Sequence, residues 1–417
     1  MTMKVLLLNA TDIEGGAARA AFRLHQGLQG IEVDSQLLVQ RKLSDSSKVI
    51  TLQNQLDSEL AKVRWRLDRL PMQMYPGRTR EVYSLGWLPE TIGSKVAQIN
   101  PDLINLHWLG EGFVKIETIG QFNKPLVWTF HDMWAFTGGC HYASECQGYL
   151  ESCGACPQLA SNKPNDLSNW VWRRKQKAWK NLNLTVVSPS VWLANCIKSS
   201  SLFKDVRLEV IPHGIDIKKY RPINRQTARE LLQLPQDKQL VLFGAMRATS
   251  HKRKGFTQLQ AALQELSQSG WHNQIELVVF GSSPPEKPPD LGFQQHYLGR
   301  LYDDLTLTLV YAAANVIVVP SIQEVFGQTA SESMACGTPV VAFRGTGVED
   351  IVSHQETGYL AEPYNIDDLA KGIAWVLENP ERYQKLCQSA REKVEQEFTL
   401  EIQARRYLSL FSEMVKL

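Results

Sequence analysis

Short, largely apolar runs separated by turn-forming or helical stretches are the main pattern along this chain. Runs of this kind favour strands, and those that are apolar throughout favour strands buried on both faces of a parallel sheet. We predict strands at residues 4–9, 37–40, 103–107, 126–130, 184–188, 207–212, 240–244, 275–281, 316–319 and 339–343.

The clearest strand–loop–helix–strand unit lies at residues 316–343. Its first strand ends at Pro320, and the loop that follows carries Glu324. A short helix is predicted at 329–336, with Glu332 inside it. Such a helix begins at the carboxyl edge of a parallel sheet, where its free N–H groups suit a diphosphate. The two carboxylates can then address different hydroxyl-bearing parts of one ligand.

The start of the chain has a similar pattern. The strand at 4–9 is followed by Gly15 and Gly16, and then by a helix with its apolar positions on one face. This is the opening of a Rossmann-like unit. The glycine pair alone is a weak phosphate-binding signal, because tight helix packing explains it equally well.

Histidines follow two of the predicted strands in the first half. His131 and Asp132 come after the strand at 126–130, and His107 ends the strand at 103–107. The carboxyl ends of parallel strands are where binding sites are built. A single histidine in this position is nevertheless more often a packed structural residue than a functional one.

Length and composition describe an ordinary globular protein. At 417 residues the chain fits two domains of about 200 residues each. The formal net charge of +2 gives no overall reason to expect nucleic-acid binding. The first apolar run is too short for a signal peptide, and no window approaches the roughly 18 apolar residues of a membrane span. We therefore expect a cytoplasmic protein, at most peripheral to a membrane.

Four of the seven cysteines lie within 17 residues. They follow the spacing C-x5-C-x6-C-x2-C and are Cys140, Cys146, Cys153 and Cys156. Clustered thiols in a cytosolic protein favour a tetrahedral zinc site over disulfides or unliganded thiols. Such a metal would be structural, because four cysteine ligands leave no open coordination position for catalysis.

Residues 169–180, NWVWRRKQKAWK, mix three tryptophans with basic residues. We favour an amphipathic helix with its aromatic side chains on the core. The alternative is contact with an anionic membrane surface or a lipid-linked acceptor.

The motifs of the second half resemble those of the retaining GT-B glycosyltransferases of the group-1 family. The resemblance rests on the E-x7-E pattern of Glu324 and Glu332, with its PS, FG and GTPVV context, on Lys254-Gly255, and on the HGID turn at 213–216. It implies two Rossmann-like, doubly wound domains that face each other across a cleft. It covers the second half closely and the first half more loosely.

The resemblance also implies how the chain is divided. Residues 1–212 would form an acceptor-binding domain, with the four-cysteine insertion at 138–158. Residues 213–399 would form the domain that binds the nucleotide-sugar donor. A last helix, at about 400–417, would pack back on the first domain.

The site residues are also carried over from the resemblance. Lys254, an arginine and the helix amides would stabilise the leaving diphosphate, but Ala245 stands where the family has arginine beside Gly244. Arg247 is our preferred replacement and Arg253 its rival. Glu332 would bind the ribose, Glu324 the sugar hydroxyls, and His131 with Asp132 would support the transferred sugar. The implied donor site comprises Gly15, Gly16, Gly244, Arg253, Lys254, Gly299, Leu301, Glu324, Val325, Phe326, Gly327, Gln328, Thr329 and Glu332.

The implied reaction is transfer of a hexose from a UDP- or GDP-sugar to a hydroxyl acceptor, with retention of configuration and without a catalytic metal. The acceptor would be a saccharide or a lipid-linked saccharide in polysaccharide, glycolipid or other glycoconjugate synthesis. Two alternatives stay open at this point. One is another reaction on the same fold, such as that of a nucleotide-sugar epimerase or a phosphorylase. The other is a protein that only binds a nucleotide sugar.

Overall fold

The computed structural model describes residues 3–52, 55–244 and 251–416. The chain forms two compact units. One contains the chain up to Pro212 together with the segment from Gln403 onward, and the other is His213–Ile402.

The first unit is built on a parallel sheet with the strand order β3-β2-β1-β4-β5-β6-β7. Its central strand β1 is buried from its second residue onward, as the continuous apolar run predicts. The strands are β1 (Lys4–Thr11), β2 (Asp34–Arg41), β3 (Val49–Thr51), β4 (Leu103–Leu106), β5 (Leu126–Thr129), β6 (Leu184–Ser188) and β7 (Arg207–Val210). The helices are α1 (Gly16–Gly30), α2 (Gln55–Asp68), α3 (Ile92–Ile99), α4 (Ile116–Ile119), α5 (Leu167–Trp179) and α6 (Val191–Ser199).

The second unit is built on a parallel sheet with the order β10-β9-β8-β11-β12-β13. The strands are β8 (Gln239–Gly244), β9 (Ile275–Phe280), β10 (Gln295–Tyr297), β11 (Val316–Val319), β12 (Val340–Phe343) and β13 (Gly358–Ala361). The helices are α7 (Arg225–Leu232), α8 (Phe256–Leu266), α9 (Asp304–Ala313), α10 (Gln328–Ala335), α11 (Ile366–Leu377) and α12 (Pro380–Glu397).

Alternate residues of the second sheet enter two separate apolar cores. Leu242 and Ile317 pack with α9 and α10 on one face, whereas Phe243 and Val318 pack with α8 and α11 on the other. Both faces are therefore covered by helices, which explains the continuous apolar runs of β8 and β11. The prediction of two Rossmann-like, doubly wound units is confirmed.

The last helix, α13 (Leu400–Lys416), belongs to the first unit from Gln403 onward. Tyr407 and Phe411 are fully buried in a core that also contains Val5 and Leu7 of β1. The Tyr407 hydroxyl also lies 2.9 Å from Oγ1 of Thr129, at the end of β5. Helix α13 thus covers part of one face of the first sheet.

Each sheet reverses its strand order at one point. The reversal lies between β1 and β4 in the first unit, and between β8 and β11 in the second. Connections leave these neighbouring strands in opposite directions, which opens a crevice at the carboxyl edge where ligands bind in such sheets. Within the described ranges, no helix is both long enough and apolar enough to cross a membrane.

A buried histidine gives the first unit a pH-dependent stability. His25 of α1 is completely buried, and its Nδ1 lies 2.7 Å from the Ser35 hydroxyl of β2. Burial, with a smaller contribution from Lys48, lowers the pKa of His25 from 6.5 to about 4. The unfolded chain therefore binds a proton in this pH range before the folded protein does. Stability that is present above pH 6.5 is lost as the pH falls toward 4.

We expect acidification from pH 7 to pH 5 to reduce the free energy of unfolding by about 2 kcal/mol through His25 alone. At pH 7, His25→Gln should be less stable than the wild-type protein. On acidification to pH 5, however, its free energy of unfolding should fall by about 2 kcal/mol less than that of the wild-type protein. Denaturant titrations at the two pH values measure the difference, with His272→Gln at an exposed position as the control. An unchanged pH dependence in His25→Gln would contradict the assignment.

Candidate active site

The loops after β8 and β11 bring a lysine and a glutamate together at the reversal of the second sheet. Lys254 lies on a 3-10 turn, Lys252–Lys254, and Gly255 follows with φ of +74°. A side chain at Gly255 would meet the Pro320 carbonyl oxygen, 1.8 Å from an added Cβ. Glycine is therefore required for the turn to pack against the end of β11, where the Glu324 loop begins.

Glu324 is the centre of a partly buried charge cluster. Its Oε2 lies 2.6 Å from Nζ of Lys254 and 3.7 Å from the Arg253 guanidinium. The Ser321 hydroxyl donates to the same oxygen at 3.2 Å. Two cations thus surround one carboxylate, which leaves an excess of one positive charge among these three side chains.

Each charge of this cluster stabilises the ionised form of its oppositely charged partner. Burial opposes ionisation of Glu324, but Lys254 and Arg253 outweigh it, so the pKa of Glu324 is lowered. Burial also lowers the pKa of Lys254, and Glu324 offsets only part of that effect. Removing either partner would leave a poorly solvated charge, which makes the pair an organised element of the site.

Helix α10 begins beside Glu324. Gly327 precedes it with φ of +95°, and an added Cβ there would lie 2.7 Å from the Val348 side chain. Val325 and Phe326 are buried and anchor the loop, whereas Gln328 and Thr329 form the first turn and are only partly buried. The positive end of the helix dipole thus lies in the same loop as the two cations, an arrangement that favours an anion.

Glu332 is buried within α10, with only 4% of its surface exposed. Its Oε2 accepts a hydrogen bond of 2.7 Å from the Tyr311 hydroxyl of α9. Burial and the neighbouring carboxylate raise the pKa of Tyr311, so its hydroxyl stays protonated and acts as a donor. Glu332 is therefore a buried carboxylate that Tyr311 orients, and not a solvated helix residue. Tyr311 lies in the VYAA end of α9, where no sequence pattern indicates this role.

The other donor-site residues predicted for this unit are Gly244, Gly299 and Leu301, and they have separate surroundings. Gly244 ends β8, where an added Cβ would lie 2.0 Å from the Phe280 ring, so packing alone accounts for this glycine. Gly299 has φ of +67° and accepts a hydrogen bond of 2.7 Å from the Gly281 N–H. Leu301 packs against the core. Arg247 lies outside the described residues, so the choice between it and Arg253 stays open.

A chain of polar contacts holds His131 in the first unit. Asn105 of β4 donates to the Val127 carbonyl at 3.0 Å, so its side-chain oxygen must face His107. Nε2 of His107 lies 2.9 Å from that oxygen, and its Nδ1 lies 2.9 Å from Nε2 of His131. Because Asn105 accepts, His107 carries a proton on Nε2, and with a neutral His107 ring its Nδ1 accepts from Nε2–H of His131. Nδ1 of His131 then carries the lone pair.

Asp132 belongs to a second buried cluster. Its Oδ2 lies 2.5 Å from Nδ1 of His141 and accepts a hydrogen bond of 2.6 Å from the Trp108 indole. Burial raises the pKa of Asp132, but His141 and these hydrogen bonds outweigh burial and lower it. His141 directly follows the first clustered cysteine, so the insertion contributes to this site. No sequence pattern indicates this role for His141, because its partner Asp132 lies nine residues away on another segment.

Two further features predicted from the sequence are the glycine pair before α1 and the tryptophans at 169–180. Gly15, with φ of +95°, precedes α1, and Gly16 is the first residue of that helix. Of the three tryptophans at 169–180, Trp172 and Trp179 are buried and Trp170 is 44% exposed. Two of the three aromatics thus face the core, and membrane contact stays a prediction.

The four clustered cysteines line one small cavity of about 20 Å³. Among the described residues, no group of three or more histidine, cysteine or acidic side chains is arranged closely enough to hold a metal ion as it stands. The cysteines occur as free thiols. The zinc site therefore stays a prediction at this point.

Two family matches together span most of the chain. Residues 224–393 match the family described as glycosyl transferases group 1, and residues 14–219 match glycosyltransferase family 4. The chain is 32% identical over 197 residues to D-inositol 3-phosphate glycosyltransferase of Saccharomonospora viridis, covering 44% of this chain and 45% of that protein. It is 30% identical over 190 residues to the protein of the same name from Mycolicibacterium paratuberculosis, covering 42% and 40%. The chain thus matches less than half the length of these relatives.

Solved structures match over almost the whole chain. Sucrose-phosphate synthase from Thermosynechococcus elongatus has a TM-score of 0.72 at 22% identity, with 99% of both chains covered. HepE from Anabaena, in complex with UDP and glucose, has a TM-score of 0.65 at 18% identity, covering 99% of this chain and 100% of HepE. At these identities the likeness establishes the fold alone.

Fold and sequence lead to the same class of protein, a glycosyltransferase with the GT-B fold. Within that class, the chain belongs to the group-1 glycosyltransferases.

The polar chain in the first unit predicts the protonation state of His131. Burial lowers its pKa to about 4, although Asp132 opposes the shift. We therefore expect a neutral imidazole, protonated on Nε2, down to about pH 5. Nitrogen NMR of histidine-labelled protein reports this state directly, and the loss of one ring signal in His131→Gln assigns it. Protonation of the assigned ring near pH 6.5, or a proton on Nδ1, would contradict the inferred contacts.

Proposed function

We propose that this protein is a retaining glycosyltransferase that moves a hexose from a nucleotide diphosphate sugar to a hydroxyl acceptor. The observation that carries the proposal is the contact between Lys254 and Glu324, with Arg253 nearby and the start of α10 in the same loop. A cationic loop and a helix N-terminus together suit a diphosphate.

The chemistry of the leaving group explains why cations are needed here. When the bond between the sugar and the diphosphate breaks, negative charge develops on the diphosphate. A cation beside it stabilises the transition state more than the bound donor, and thereby accelerates the reaction. Glu324 keeps Lys254 in position before the donor arrives, and its carboxylate is a suitable acceptor for sugar hydroxyls.

Glu332 is proposed to bind the ribose of the donor. A carboxylate can accept hydrogen bonds from two neighbouring hydroxyls, and one oxygen of Glu332 is already oriented by Tyr311 at 2.7 Å. This contact exists equally in the bound donor and in the transition state. It should therefore contribute to affinity more than to rate.

His131 is proposed to support the transferred sugar. A neutral imidazole can exchange hydrogen bonds with hydroxyl groups of a sugar without adding a charge to the site. Asp132, fixed by His141 and Trp108, orients the segment that carries His131. This assignment to the sugar rests on the family resemblance together with the neutral ring.

The choice of substrates is also a proposal. HepE was solved with UDP-glucose and with UDP, which makes UDP-glucose the first donor to test, followed by other UDP- and GDP-hexoses. The acceptor is proposed to be a saccharide or a lipid-linked saccharide. The inositol phosphate relatives support a hydroxyl acceptor in general, but the match covers less than half of their length.

We expect Lys254→Ala to reduce turnover by on the order of a hundredfold, about 3 kcal/mol, with a smaller change in donor affinity. Lys252→Ala, an exposed lysine of the same turn, should stay close to wild type. Turnover comes from steady-state kinetics with the donor that gives the largest thermal stabilisation, and affinity comes from calorimetry.

Near wild-type turnover in Lys254→Ala would mean that this loop does not hold the diphosphate. Product analysis separates the alternative reactions. A new glycosidic bond with the donor's anomeric configuration supports the proposal, whereas an inverted linkage, an epimerised donor or donor binding without turnover would overturn it.

We expect Glu332→Ala to weaken donor binding by about tenfold or more, because a hydrogen bond to a charged group typically contributes about 1.5–3 kcal/mol. The rate at saturating donor should change less. Donor titration calorimetry and saturation kinetics distinguish the two effects, with the exposed Glu356→Ala as the control. A large loss of rate at unchanged affinity would assign Glu332 to the chemical step instead of the ribose.

A further inference from the structure

The four clustered cysteines form a site that the transfer reaction does not use. Cys140 forms an isolated bridge with Tyr83, Cys146 follows a turn, and Cys153 and Cys156 belong to the CGAC segment, yet all four line the same cavity. Its volume of about 20 Å³ is close to that of a single water-sized sphere. A space of this size, lined by four sulfur-bearing residues, fits one ion and no organic ligand.

The backbone around these cysteines is shaped for the cluster. Cys153, Gly154 and Ala155 have φ values of +43°, +135° and +45°, a run of positive angles that folds the CGAC segment into a tight knuckle. Gly154 is essential to it, since an added Cβ would lie 2.2 Å from the Pro164 carbonyl oxygen. Asn169 of α5 fixes the knuckle by donating to the Cys153 carbonyl at 2.9 Å.

Backbone N–H groups point at two of the sulfur atoms. Gly138 donates to Sγ of Cys153 at 3.1 Å, and Gly148 donates to Sγ of Cys146 at 3.4 Å. Hydrogen bonds from N–H groups stabilise the thiolate over the thiol. Burial outweighs this effect at Cys153 and raises its pKa to about 12, so these N–H groups would support the sulfurs chiefly as hydrogen-bond donors once a metal is bound.

A buried cation lies beside the cluster. Lys175 of α5 is completely buried, and its ammonium donates to the carbonyls of Trp134 and Thr137, the latter at 3.0 Å. Burial lowers the pKa of Lys175 to about 7, and negative charge on the nearby Cys153 and Cys140 would oppose that shift. A buried ammonium is costly without a compensating negative charge. A zinc ion with four thiolates carries a net charge of −2, which Lys175 would partly neutralise, whereas two disulfides would carry no charge.

We infer that Cys140, Cys146, Cys153 and Cys156 bind one structural Zn²⁺ ion. Binding requires the four sulfurs to move closer together over the cavity and to release their protons. The ion would fix the segment that carries His141, and through the contact of His141 with Asp132 it would stabilise the neighbourhood of His131. Zinc binding can be tested without an assay of glycosyl transfer, because the measurements are metal content and stability.

The test uses the full chain, purified under reducing conditions without added metal. We expect elemental analysis to find about one zinc per chain. Cys153→Ser and Cys156→Ser should each lose the zinc, whereas Cys387→Ser, in the second unit, should retain it. Removing the ion from the wild-type protein with a chelator should lower its melting temperature, and adding zinc back should restore it.

Cobalt substitution provides a second readout that does not depend on the folding of the variants. Wild-type protein refilled with Co²⁺ should show the intense visible absorption of tetrahedral thiolate coordination. Absence of zinc together with two disulfides, or with four thiols that react freely in the native protein, would overturn the inference. Zinc retained in both cysteine variants would also overturn it.

Discussion

The carboxyl edge of a parallel sheet, at the point where strand order reverses, is the constraint on which both units depend. Neighbouring strands there send their connections in opposite directions, so side chains from distant parts of the chain meet without competing for space. Lys254 and Glu324 are 70 residues apart and come from the loops after β8 and β11. His107 and His131 follow the adjacent strands β4 and β5 in the same manner.

Charges buried at these edges need partners, and the structure supplies them in different ways. Glu324 is held by two cations, whereas Glu332 is held by a neutral hydroxyl. Breaking a fully buried ion pair typically costs about 3–5 kcal/mol because the remaining charge is poorly solvated, and a partly buried pair such as Lys254 and Glu324 costs less. The ion pair therefore holds Lys254 and Glu324 in position before any ligand binds. This organisation is what a reaction with a strongly charged leaving group requires.

The four-cysteine insertion and the polar residues around His131 form one continuous structure. Cys140 is followed by His141, which contacts Asp132 and also lies 2.9 Å from the Ser84 hydroxyl. None of these contacts has a local signal, since each joins residues that are distant in sequence. Spacing alone predicted that the cysteines cluster, but it did not predict that their loop supplies a partner to the histidine-bearing strand end.

The sequence by itself determined the buried strands at the centres of both sheets, because burial on both faces requires continuous apolar residues that can be read locally. The two doubly wound domains followed from the family resemblance of its motifs. Residues 316–319 and 184–188 were predicted with the limits that the structure has. The short strands β3, β10 and β13 were not predicted, because each contains a polar residue or a glycine and so lacks a continuous apolar run. Only the tertiary structure decided the partners of the site residues. Tyr311, Asn105 and His141 acquire their roles from neighbours that folding places within hydrogen-bonding distance, and no periodicity records such a contact.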